Sequence, residues 1–312
     1  MASIVSVHPF VPETFIDARG LAAELDYPED RLESRTGFLK LARETSERPA
    51  IALASGAVEA ALSADANLRD SVELIICVTQ TPDRPIPHLS AEIHGMFDFR
   101  PECTTFDLSL GCSGYVQALD IASALMRGSS ESKALLVTAD PYSRITRMDD
   151  PTTALIFGDA GTCTVLANQG AYSIGQAVNR TYGSKCEALR VDDDRLVMDG
   201  RAVYTLAAAQ APQLIRDIIH LNELSLKDID VFLVHQGSRA IVDAIQQRLG
   251  VPADRLPFPS MMVGNTVSSS IPLALAELLE QSKPYRIVLC GFGVGLAASA
   301  LLLTRRQDAV DT

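Results

Sequence analysis

The chain has 312 residues, 47% hydrophobic and 21% charged, the balance of an ordinary globular protein of one large domain or two smaller ones. A net charge of −12 argues against general nucleic-acid binding, which needs a basic surface. The opening MASIVSVHPFVPETF lacks the basic start and long apolar core of a signal peptide, and no apolar run reaches the roughly 18 residues of a membrane span.

In chain order, a strand is expected at 4–7, and then a polar segment dense in charge, Asp30 to Gly37. Pro49 to Ala64 reads as an Ala-rich amphipathic helix, and Val72 to Val78 as a strand covered on both faces. A Pro-rich loop, TQTPDRPIPHLS, leads to a helix over 91–96. FDLSLGCSGYVQALDIASALM, residues 106–126, alternates like a strand, breaks at Gly111 and resumes at helical spacing. Lys133 to Thr138 is a further buried strand, and 154–166 a strand pair around a Gly-Asp turn. Residues 170–204 read as surface loops and a hairpin, followed by a helix from Leu206.

The order of parts then begins again. IDVFLVHQGS resembles ELIICVTQTP, GNTVSSSIPLALAELLE resembles GCSGYVQALDIASALMR, and RIVLCGFGVG parallels KALLVTAD, each about 150 residues later. Two like strand-helix-strand halves, 1–168 and 169–312, are therefore expected to pack together in an α/β fold. The six cysteines, at positions 77, 103, 112, 163, 186 and 290, show no CxxC pair and no metal-ligand spacing. Reduced thiols in the cytoplasm and no metal site fit this usage.

Cys112 sits at a strand-to-helix turn, where free backbone N–H groups and the helix dipole are expected to favour its thiolate. In a duplicated α/β fold the corresponding strand ends and helix starts converge on one crevice. His235 and Asn265 come from such turns of the second half. Each alone reads as structural, but a Cys with a His partner is a nucleophile constellation. An Asn amide and a neutral imidazole N–H can both donate to a carbonyl oxygen that is becoming an enolate.

From Arg35-Thr36-Gly37 through FDLSLGCSG, ALIFGDAGT, VHQGS and GNTVSSSIP to GFGVG, the chain resembles the β-ketoacyl-acyl-carrier-protein synthase III family of the thiolase-like superfamily. The resemblance implies a five-layered αβαβα fold, a homodimer, no cofactor and a ping-pong Claisen condensation. Cys112 would take an acyl group from a thioester. His235 and Asn265 would hold the malonyl thioester of an acyl-carrier protein while CO2 leaves. The backbone N–H groups of Cys112 and Val294 would form the oxyanion hole. Arg35 matches the family's nucleotide-binding arginine, and Ile86 its apolar gate across the dimer interface.

Several positions depart from the family's pattern. Its stacking Trp is Arg31, a second nucleotide-contacting arginine is Pro151, and its HQAN is HQGS, which places Ser238 where the Asn stands. Loss of a stacking platform worth about 1–3 kcal/mol points to an acyl-carrier-protein donor or an altered coenzyme A pose. Arg239, with Arg248 further along its helix, is the expected docking point for an acidic carrier protein. The leading expectation is a decarboxylative condensing enzyme of fatty-acid initiation or a specialised pathway. The alternative is an acyltransferase of the same fold, passing the acyl group from Cys112 to an alcohol or amine.

Overall fold

Apolar runs become strands close to where the sequence places them. The computed structural model describes residues 2–126 and 132–306. Nine strands join one mixed sheet: β1 (Ser3–Phe10), β2 (Val72–Val78), β3 (Thr104–Leu108), β4 (Lys133–Ala139), β5 (Gly161–Ala167), β6 (Tyr172–Thr181), β7 (Val231–Val234), β8 (Arg286–Gly293) and β9 (Ala297–Arg305). Their spatial order is β7-β8-β9-β6-β1-β5-β4-β2-β3.

The sheet narrows at its middle, where β1 meets β6 through only Ser3 with Ser173 and Ile4 with Tyr172. On either side one pattern repeats. The series β2-β4-β5-β1 is joined by a parallel and then two antiparallel ladders, and β7-β8-β9-β6 has the same sequence of ladders. Strand β3 adds a parallel edge beside β2 and, among the described residues, has no counterpart beside β7.

Six main helices cover the sheet: α1 (Pro49–Ala64), α2 (Leu89–Met96), α3 (Gly114–Leu125), α4 (Gly200–Leu221), α5 (Arg239–Leu249) and α6 (Ser270–Gln281). Leu53 and Val58 of α1 pack with Ile75 and Val137 on one outer face. Val116 and Leu119 of α3 and Leu275 of α6 fill the middle, against Ile76 and Leu136 from one half and Leu289 and Leu301 from the other. Ile215 of α4 and Ile245 of α5 meet Phe232, Val288 and Leu302 on the far face. Ile75 and Ile76 thus serve different layers, and so do Val288 and Leu289. This alternation explains why these strands are apolar without interruption. The result is five layers, αβαβα, a thiolase-like fold. Each fully buried Leu or Ile contributes about 1.5–3 kcal/mol of transfer free energy.

Local chemistry sets the helix ends. Pro49 occupies the first turn of α1, whose Ala50 and Ile51 N–H groups donate to the Asp83 carboxylate at 3.1 and 2.9 Å. Gly250 closes α5 in the left-handed region, φ 71°.

Three expectations are corrected. Residues 154–166 do not form a strand pair: Asp150 caps a short helix, Pro151–Ala154, by accepting from the Thr152 N–H, so only β5 remains. Residues 170–204 begin with β6, a ten-residue strand at the centre of the sheet whose polar Asn179 and Arg180 find partners in Ser299 and Asp217. The remainder does form a hairpin, Leu189–Asp192 with Arg195–Met198, turning at Asp193 and Asp194 with φ 47° and 60°. Helix α4 starts at Gly200 rather than Leu206, because the Asp199 side chain accepts from the Ala202 N–H at 2.9 Å.

Candidate active site

Edge strand β3 ends at Leu108, and Gly111 and Gly114 turn the chain into α3 with the Gly114 N–H donating to the Gly111 carbonyl at 2.7 Å. Cys112 lies inside this turn, only 6% exposed. A Cβ on Gly114 would stand 2.5 Å from Val78 Cγ1, so close approach to β2 demands glycine there. The opposite wall is the end of β8. A Cβ on Gly293 would fall 2.8 Å from the Cys112 sulfur, so the thiol rests directly on that backbone. Neither the Cys112 nor the Val294 backbone N–H donates to another described residue.

Burial pushes the Cys112 thiol well above its ordinary pKa, and the nearby Asp140 carboxylate adds to the rise. The cysteine's own backbone N–H opposes them. The sequence suggested a thiolate stabilised by the start of α3. Desolvation of a buried sulfur outweighs a helix-end effect of about 1 kcal/mol, and the resting group is a neutral thiol. Asp140 is itself raised to about 6 by burial, against the Gln80 N–H that donates to it at 2.6 Å.

His235 follows β7, its N–H extending the ladder to the Cys290 carbonyl at 2.8 Å. The residue is 3% exposed, and its ring stands edge-on to Phe292, with centroids 5.3 Å apart. Burial lowers its pKa to about 3, so the imidazole is neutral. Nδ1 lies 2.6 Å from the Ser270 Oγ at the start of α6. The Ser270 hydroxyl has no other partner among the described residues. The arrangement that satisfies it has the hydroxyl donating to Nδ1, which assigns the ring proton to Nε2.

Asn265 is held by its backbone to the segment after the short helix: its N–H donates to Ile156 O at 2.8 Å and its carbonyl accepts from Gly158 N–H at 3.0 Å. Its side-chain Oδ1 accepts from the Val267 N–H at 3.0 Å, which leaves the amide NH2 as the donor. Val267 takes φ 53°, a left-handed conformation that is strained for a β-branched residue, at a cost of about 1–3 kcal/mol.

One cavity of about 730 Å³ unites these groups. Cys112, His235, Asn265, Phe292 and Gly293 line it together with the apolar Ile156, Phe157, Met198, Val203 and Ile241. Arg35, Thr36 and Ser238 also line it. The Ser238 Oγ accepts from the Ile241 N–H at 3.4 Å and caps α5. Arg239 does not line the cavity; its guanidinium lies over the Phe258 ring at 4.3 Å, with Asp243 at 4.0 Å. Arg248 is exposed at the far end of α5. Ile86 is 82% exposed and does not line the cavity, and Val294 packs in the cluster around Cys112. Among the described residues no three His, Cys, Asp or Glu side chains gather as a metal site requires. No helix among them is long and apolar enough to cross a membrane.

Sequence reasoning missed Ser270, Asp140, Tyr27, Arg201 and Tyr204. The run Ser268-Ser269-Ser270 at the head of an apolar helix is the signal for the first; the others reach the site only through tertiary packing.

Residues 106–183 match the family model described as 3-oxoacyl-[acyl-carrier-protein] synthase III, and residues 219–305 match the model of its C-terminal part. The chain is 30% identical to the β-ketoacyl-[acyl-carrier-protein] synthase III of Streptococcus gordonii, covering 97% of this chain and 99% of that protein. It is 32% identical to synthase III 2 of Streptomyces coelicolor, over 95% of this chain and 91% of the other. The Thermus thermophilus synthase III structure superposes with a TM-score of 0.91 at 29% identity, over 97% and 99% of the two chains.

Proposed function

The chain belongs to the 3-oxoacyl-[acyl-carrier-protein] synthase III family of acyltransferases, and from that premise we propose that it condenses a Cys112-bound acyl group with malonyl-acyl-carrier protein. The observation that carries this reading is the pair of oriented donors, His235 Nε2–H and the Asn265 amide NH2, in one cavity with a buried thiol. A simple acyl transfer needs a nucleophile and a base. Two neutral donors suit an enolate.

In the first half-reaction the Cys112 sulfur attacks the donor thioester. Its carbonyl oxygen becomes an oxyanion that the Cys112 and Val294 N–H groups stabilise, and the donor leaves as a thiol carrying the proton Cys112 gives up. Because the resting thiol is neutral, proton loss accompanies S–C bond formation.

In the second, the malonyl thioester oxygen accepts from His235 and Asn265. The carboxylate departs as CO2, and the electron pair left behind is held as an enolate. The enolate carbon attacks the acyl-cysteine, the C–S bond breaks, and the released cysteine thiolate takes a proton from solvent. The neutral His235 suffices for this step, since an imidazole with its Nε2 proton in place donates without a prior proton transfer. Oxyanion and enolate donors of this kind are each worth about 2.7–4 kcal/mol.

The roles follow the chain's two halves, 1–168 with the nucleophile and 169–312 with the donors. Arg35 and Ser238, which line the cavity, flank the arm of the incoming thioester, and Arg239, next in the chain to Ser238, is the docking point of an acidic carrier protein. The unpaired edge of β3, with Ile86 82% and Met96 53% exposed close by in sequence, supports a homodimer in which Ile86 reaches the partner's cavity. All six cysteines are unpaired, which supports a cytoplasmic setting.

Intact-protein mass spectrometry with acyl-coenzyme A and acyl-carrier-protein donors tests the reading. An acyl adduct on the native chain that disappears in Cys112→Ala is expected. An adduct that survives the substitution would place the nucleophile elsewhere.

A further inference from the structure

Both donors take their orientation from one short stretch of chain. Asn265 Oδ1 accepts from the Val267 N–H, and the Ser270 hydroxyl holds His235 Nδ1. Between them Val267 sits at φ 53°, a conformation that a β-branched residue keeps only where its surroundings over-determine it. Three buried serines follow Val267, and the orientation of His235 accounts for only the last of them.

The other two are fastened to the N-terminal part of the chain. Ser268 Oγ donates to the Val78 carbonyl at the end of β2, at 3.5 Å. Ser269 Oγ donates to a backbone carbonyl, with Ala160 O at 2.9 Å and Thr138 O further off at 3.4 Å. It also lies 2.8 Å from Thr138 Oγ1 of β4, which in turn lies 2.6 Å from Thr162 Oγ1 of β5. Ser269, Thr138 and Thr162 are fully buried. Each hydroxyl has one proton to give. With the Ser269 proton on a carbonyl, the other two bonds form together only if Thr138 donates to Ser269 and Thr162 donates to Thr138. The bonds therefore run one way, from β5 through β4 to the stretch that orients the donors, and every proton is used.

We infer that Thr138 is a positioning residue for condensation: through Ser269 it holds the strained Val267 stretch in place, and with it Asn265 and His235. The inference rests on the proposed condensation, because that step is the one that uses both donors. Loading of Cys112 relies instead on the turn at Gly111 and Gly114 and on the backbone of β8.

The test follows the two half-reactions separately in Thr138→Val, which keeps the shape and removes the hydroxyl, and in Thr138→Ser, which restores it. Enzyme acylated at Cys112 is mixed with saturating malonyl-acyl-carrier protein, and CO2 is measured in a single turnover. Thr138→Val is expected to acylate at the native rate and release CO2 about tenfold more slowly. Thr138→Ser should recover most of that loss. Ser269→Ala cuts the same bond from the other side and should show the same split. Thr162→Val is the control: it removes a buried hydroxyl of the same network but keeps the Thr138–Ser269 bond. Its melting temperature should fall while CO2 release stays close to native.

Native CO2 release in Thr138→Val and Ser269→Ala overturns the inference. So do equal losses in acylation and CO2 release, or a Thr162→Val chain slowed as much as Thr138→Val, since either marks the network as a support of the fold alone. The condensing reading is judged on the native chain: no CO2 from its acylated form sinks that reading, whereas native CO2 release without the selective loss sinks only the role of Thr138.

Discussion

Gly293→Ala makes the sharpest demand on the geometry around the nucleophile. Gly293 lies in strand conformation with φ outside the left-handed region, so its backbone accepts alanine without strain. The new Cβ, however, would stand 2.8 Å from both Sγ and Cβ of Cys112. Favourable contact begins at about 3.5 Å, so roughly 0.7–1 Å of overlap must be relieved. The thiol moves. A displacement of about 1 Å at a reacting atom costs on the order of 100-fold in rate, or about 2.7 kcal/mol of barrier.

Overpacking should also cost about 1–3 kcal/mol of stability, visible as a lowered melting temperature. The assay is the rate of acyl loading, followed by quenching and intact mass, with thermal unfolding alongside. Gly95→Ala is the control: it sits in α2 with nothing within 4 Å of its would-be Cβ. It should load at the native rate and gain up to about 1 kcal/mol of helix stability. A folded Gly293→Ala that loads as fast as the native chain would refute the placement of the thiol on that backbone.

Ser270→Ala removes the hydroxyl that orients His235 and should lower kcat for condensation about tenfold while leaving the rate of Cys112 acylation unchanged. Equal losses in the two half-reactions would show that Ser270 supports the fold alone. The lowered pKa of His235 also carries a stability signature. Its folded value of about 3 lies below the unfolded 6.5, so the unfolded chain binds more protons as pH falls through that window and the native state weakens. At pH 5 the loss is about 2 kcal/mol. Asp140, raised to about 6 from 3.8, works the other way: its contribution grows as pH falls through that interval. Comparing native and His235→Asn chains in urea from pH 7 to 5 cancels the Asp140 share. A difference between them that does not change with pH would contradict the buried neutral imidazole.

How much of this was legible in the sequence depends on the range of the interactions involved. The continuous apolar runs of β2, β4 and β8 and the recurrence of strand and helix patterns follow from period and burial, which act locally. Cys112, His235 and Asn265 stood out because each ends a strand or opens a helix at a corresponding place. Strand β6 was missed because a central strand carrying Asn179 and Arg180 reads as polar until Ser299 and Asp217 are placed beside it. The ionisation of Cys112 went the same way: the helix start is visible in the chain, but enclosure by Gly293 and the field of Asp140 are not. Arg201 lies about 90 residues from Cys112 and joins its cavity through packing alone.

The most direct measurement begins with the enzyme acylated at Cys112, freed of donor and mixed with malonyl-acyl-carrier protein in a single turnover. The account predicts one CO2 released for each acyl group that leaves the cysteine, with the product mass of a 3-oxoacyl carrier protein. Asn265→Ala should still take up the acyl group but release CO2 about 100-fold more slowly. Discharge of the acyl group without matching CO2, in the native chain, would contradict decarboxylative condensation.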